Sequence, residues 1–137
     1  IIMTQSTITF TPLDEFAAGT SLQHAGVELS YADICRMFGK PMFEGIGDKT
    51  TTEWTIEYQK YDAEWDEYTS GKFTIYDWHF ARNLNDDYAK SSWNIGGQNI
   101  NDYYAFEEAL HMFEADPTMD DGELIGSHAL PECGAVA

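Results

Sequence analysis

The chain has 137 residues, with 24 acidic side chains against seven Lys plus Arg, a formal net charge of −17, and it is 43% hydrophobic and 15% aromatic. That composition is too apolar for a disordered acidic segment, and the length predicts one domain with a sizeable core. The charge repels nucleic acid and anionic membranes and the basic residues are scattered singly, so neither is expected as a direct partner; basic protein surfaces are.

In chain order, residues 6–10 (STITF) alternate and are rich in β-branched types, which predicts a short strand ended by Pro12. Residues 13–28 read as a mixed connection. Ser30 is placed to cap a helix over SYADICRMF, with Asp33 at the third helical position, and Gly39 and Pro41 stop it. TTEWTIEY then sets Trp54, Ile56 and Tyr58 on one strand face and Glu53, Thr55 and Glu57 on the other, as in an antiparallel sheet wet on one side. KFTIYDW (72–78) is the next strand, central because both its faces carry apolar groups. SWNI (92–95) is a third, stopping at a Gly96–Gly97 turn.

Asn101 or Asp102 can cap a second helix, DYYAFEEALHMFEA, with Tyr103, Phe106, Leu110 and Phe113 as its apolar stripe. From Asp116 the periodicity is lost. The order predicts an α+β fold: a small twisted antiparallel sheet of about three to four strands with two helices packed on one face. Residues 1–115 form the domain, and 116–137 form a loosely packed or mobile C-terminal tail.

Cys35, in a helix, and Cys133, in the tail, make no disulfide framework, which points to a reducing compartment. The chain does not open with a secretion signal and has no long apolar run, so a soluble cytoplasmic protein is expected, with Met3 rather than Ile1 or Ile2 as its natural start.

No catalytic, phosphate-binding or metalloprotease motif is present. The single Glu108-x-x-His111 lacks the second motif and further glutamates of a di-iron bundle. Pro117–His128 puts Pro117, Met119 and His128 where a calcium loop needs oxygen ligands. No metal or cofactor is therefore expected. Asp77 and His79, two apart on a strand, could share a hydrogen bond, but no nucleophile accompanies them.

Residues 61–71, YDAEWDEYTSG, interleave acids with aromatics between two strands. This connection is longer than the usual hairpin loop, so the acids face water and Trp65 and Tyr68 are either folded back or displayed as interface anchors. Asp62, Glu64, Trp65, Asp66, Glu67 and Tyr68, together with Asp86, Asp87 and Tyr88 from a second acidic loop, are the candidate partner-binding residues. Asp102–Tyr103–Tyr104 repeats the theme. Carboxylates spaced over several loops can present charge comparable to a duplex, which carries one negative charge per ~1.7 Å.

The run from SYADICRMFGKP through TEWTIEY and GKFTIYDW to SWNIGG, roughly residues 30–97, resembles small acidic proteins encoded by bacteriophages. Many of these bind a host protein and block it, including anti-restriction and anti-CRISPR inhibitors that imitate DNA. The resemblance implies a viral anti-defence inhibitor acting in the host cytoplasm as a DNA mimic, and it carries over no individual site residue. This chain departs from dedicated mimics in its wealth of aromatics, which makes contacts as much apolar as electrostatic. The leading expectation is a non-enzymatic acidic protein that occupies a basic, nucleic-acid-binding surface of a host defence or DNA-processing protein. The alternatives are a small structural or assembly protein that oligomerises or decorates a larger particle, and a small enzyme using Asp77 and His79.

Overall fold

Seven antiparallel strands and two helices make up the computed structural model, which describes residues 5–45, 47 and 49–131. The strands are β1 (Thr7–Leu13), β2 (Ser21–Ser30), β3 (Phe43–Glu44), β4 (Thr52–Asp62), β5 (Glu67–Tyr76), β6 (Lys90–Gly97) and β7 (Gly126–Ala129). The helices are α1 (Tyr31–Phe38) and α2 (Ile100–Ala115). The sheet runs β2-β6-β5-β4-β1-β7, and β3 pairs with β4 at Thr52 and Glu53, past the last β1 pair at Thr55.

The expected small sheet of three to four strands carrying two helices is thus corrected: the sheet dominates the molecule. Most of β2 lies in residues 13–28, expected as a mixed connection: its register on β6 breaks between Leu22 and His24 and again between His24 and Val27, which interrupts the alternation that marks a strand. β7, GSHA, has no strand-forming residues and exists because β1 offers it a partner from Thr7 to Phe10.

Residues 116–131, expected as a loose tail, are packed. Met119, Leu124 and Leu130 are buried in the core. The amides of Gly122, Glu123 and Leu124 donate to the carbonyls of Cys35, Arg36 and Met37, supplying the donors that the last turn of α1 lacks. Residues 1–4, including Ile1, Ile2 and Met3, and residues 132–137, including Cys133, lie outside the described residues.

Period-two alternation gathers Ile8 and Phe10 of β1, Trp54, Ile56 and Tyr58 of β4, Phe73 and Ile75 of β5, and Trp93 and Ile95 of β6 into one buried cluster. Ile34, Met37 and Phe38 of α1 and Ala105, Phe106, Ala109 and Phe113 of α2 join it. Phe73 is the hub, meeting the rings of Phe10, Phe38 and Phe106 edge-on at 6.2, 5.7 and 5.8 Å. The indole N–H groups of Trp54 and Trp93 donate to Gly39 and Leu29 carbonyls, so neither is buried unpaired.

Both helices start with capping boxes. Ser30 and Asp33 cap α1 as the spacing predicts. In α2 the cap is Asn99, not Asn101 or Asp102, and Asp102 sits at the third helical position with its carboxylate turned inward. Gly96 and Gly97, expected as a turn, lie inside β6. A Cβ on Gly97 would come within 2.6 Å of the Asp102 Cβ, so only glycine lets α2 start this close to the sheet.

Candidate functional site

β4 and β5 form a tall hairpin. The strands pair up to Asp62↔Glu67, leaving only Ala63–Asp66 as the turn. Two of the acids that marked this segment build that turn. The Asp62 carboxylate accepts the Glu64 amide at 3.0 Å, and Ser6 Oγ accepts the Ala63 amide at 2.9 Å. Asp66 takes the left-handed conformation at φ 49°, which short polar side chains tolerate. Its carboxylate accepts the Tyr61 hydroxyl at 2.8 Å, which pushes the titration of that tyrosine up.

Glu64 and Glu67 have no such structural duty among the described residues, and both are exposed. Trp65 is 68% exposed at the tip. Tyr68 is 65% exposed and rests on the ring of its cross-strand partner Tyr61 at 4.8 Å.

The other hairpin face, carrying Lys60, Asp62, Glu67 and Thr69, lines a groove of about 780 Å³. Glu108 of α2 closes one wall and its carboxylate lies 3.6 Å from Lys60 Nζ; Leu130 and Pro131 add an apolar flank, and Glu64 and Trp65 stand at the turn. The groove therefore combines several carboxylates, one already paired, with an exposed indole at its mouth.

The remaining candidates lie elsewhere. Asp86, Asp87 and Tyr88 belong to the connection from β5 to β6, at the end of β5 opposite the turn. Ten strand residues at about 3.3 Å each separate the two groups by about 30 Å. The structure does not bring them together. Asp86 accepts the Tyr88 amide within a local turn, and Asp87 pairs with Arg82 at 3.0 Å, leaving Tyr88, 75% exposed, as the prominent group there. Asp102 is not a surface acid: it is buried, accepting the Tyr58 hydroxyl and the Gln98 amide, each at 2.7 Å.

Asp77 and His79 do not pair across a strand, because β5 ends at Tyr76. The buried Asp77 carboxylate accepts the Thr51 amide and hydroxyl and the Thr52 amide, tying β4 to the turn that follows β5. His79 is exposed in the short 3-10 turn Trp78–Phe80, at φ 56°. Glu108 is engaged with Lys60, and no group of three or more His, Cys, Asp or Glu among the described residues could hold a metal ion.

Sequence reasoning missed a polar cluster at that same end. The Arg82 guanidinium lies 3.5 Å over the Tyr31 ring, bonds Thr52 Oγ1 at 2.7 Å and holds Asp87. The Tyr31 hydroxyl donates to Glu44. Burial drives the Tyr31 hydroxyl far above its ordinary range and the Cys35 thiol up to about 11, so neither ionises near neutrality. Burial, helped by the Asp77 charge, raises Glu53 to about 7. An isolated Arg in a polar loop gave no signal for this stacking, which tertiary folding alone creates.

No helix of the described residues is long and apolar enough to cross a membrane. Compared with known proteins, the chain matches no family model, no curated protein and no solved structure.

Proposed function

We propose that this chain is a non-enzymatic binding protein that takes hold of a basic surface on another protein with the turn and groove of its β4–β5 hairpin. One observation carries this: Glu64 and Glu67, free of structural duty among the described residues, flank an indole that is 68% exposed, at the mouth of a groove of about 780 Å³ that also presents Asp62 and Glu108. An exposed Trp supplies large, rigid contact area, and the carboxylates around it select and orient Arg and Lys. Surfaces with the complementary charge include those that bind nucleic acid, and the phage inhibitors that the sequence resembles work on such surfaces. We place the protein with them, as an inhibitor of a host defence or DNA-processing protein in the host cytoplasm.

The test is capture of a basic nucleic-acid-binding protein from host lysate, followed by challenge with duplex DNA. The proposal expects the captured protein to be released by salt and by duplex DNA. Retention of the partner in the presence of excess duplex contradicts occupation of a nucleic-acid site.

A further inference from the structure

β5 is paired on both sides only from Phe73 to Tyr76, where β6 lies against it. From Glu67 to Lys72 it is paired on the β4 side alone. Residues 67–70 are all exposed, and among the described residues no hydrogen bond reaches the backbone of 67–72 from the β6 side. Within Glu67–Ser70 alternate residues therefore point amide and carbonyl groups into solvent, whereas Gly71 and Lys72 are half-buried beside the start of α2.

The two outermost strands are blunted, and the other staggered stretches, Lys90–Trp93 of β6 and Thr11–Leu13 of β1, are shorter. β2 is twice broken in register, and β7 is four residues long. The open half of β5 is six residues, regular in register, without proline or bulge. Asp102 at the start of α2 sits over Gly71, and among the described residues the rest of this edge is guarded by charge. Asp62, Glu64, Asp66 and Glu67 crowd its end, and Glu108 faces it across the groove, against Lys60 and Lys72. A second copy in full antiparallel overlap would set Glu67 opposite Lys72, so self-pairing is an outcome the test below must separate. An incoming basic strand meets the opposite sign.

We propose that the free β5 edge, Glu67–Lys72, is a docking site for an extended Lys/Arg-bearing segment of the partner, which adds to the sheet as a strand beside β5. The proposal rests on the basic-partner reading above and names its mode of recognition. Main-chain hydrogen bonds to β5 give affinity, and alternate side chains give selectivity. One set of the incoming side chains lies over the groove face beside Glu67, Thr69 and Glu108. On α2, Ile100 and Tyr104 are exposed and precede Glu108 at four-residue spacing, so they flank the same approach. The other set lies beside Tyr68 on the open face.

The probe is an end-capped octapeptide alternating arginine with threonine, and a second peptide identical but N-methylated at every residue, which keeps the charge and removes the amide donors. Each is titrated into the isotope-labelled full chain at low ionic strength, reading amide shifts and exchange protection. The proposal expects the first peptide to protect amides within Glu67–Lys72 and N-methylation to weaken binding by roughly tenfold or more. Equal binding of both peptides, without protection of β5, overturns strand addition and leaves the basic-partner reading standing. Binding of neither peptide overturns both. Amides within Glu67–Lys72 already protected on the β6 side in the free chain overturn the proposal as well: if dilution removes the protection the occupant is a second copy, and if not it is part of the chain itself.

Discussion

The buried Tyr58 hydroxyl donates to the buried Asp102 carboxylate at 2.7 Å, joining the middle of β4 to the first turn of α2. Burial and this carboxylate together drive the tyrosine far above its ordinary range. The same carboxylate caps α2 through the Gln98 and Asn99 amides. Loss of Asp102 would leave a buried hydroxyl and the capped amides without their acceptor, and Asp102→Ala is expected to lower stability by about 2–4 kcal/mol. Tyr58→Phe, which removes one donor and keeps the ring against Phe73, should cost about 1 kcal/mol. Urea unfolding of the two variants distinguishes these magnitudes.

Gly97→Ala tests how closely α2 is seated. The added Cβ would lie 2.6 Å from the Asp102 Cβ and 2.9 Å from its Oδ2, inside contact distance. A destabilisation of about 1–3 kcal/mol is expected, as for overpacking a filled site. A thermal melt of the variant unchanged from the parent would show that the helix start shifts freely.

Glu53 sets a pH dependence. Burial first, and the Asp77 charge second, raise its carboxyl from 4.5 to about 7. The native state then holds the proton more tightly than the unfolded chain. The associated stability is fully present below the unfolded value and is lost as pH rises from about 4.5 to about 7. Glu53→Gln is expected to flatten this slope and to stabilise the protein at pH 8 by about 1 kcal/mol, a figure reduced for the partial exposure of the group. Melting temperatures of parent and variant from pH 5 to 8 check both.

What could be read in the sequence was local. The Ser30–Asp33 capping box is made within four residues, and the Trp54–Ile56–Tyr58 alternation depends only on the pleat, so both were legible. β2 was hidden by its two register breaks, and β7 by having no propensity apart from its pairing with β1. Gly97 looked like a turn because the need for a missing Cβ arises from Asp102, which only folding brings against it. At the candidate site the acidic-aromatic hairpin was visible, but not that Asp62 and Asp66 are turn-building groups. The separation of Asp86–Tyr88 from the hairpin follows from the direction of β5, which composition does not carry.

The central claim is that the hairpin end, not the opposite loop, meets the partner. Capture of a basic partner should be compared for the parent, for Glu64→Lys combined with Glu67→Lys, and for Asp86→Asn combined with Tyr88→Ser. Glu64 and Glu67 are exposed and make no hydrogen bond with their side chains among the described residues, so their reversal leaves the turn intact. The account predicts that the hairpin pair abolishes capture at low salt while the loop pair captures as the parent does. Loss with the loop pair and retention with the hairpin pair would contradict it.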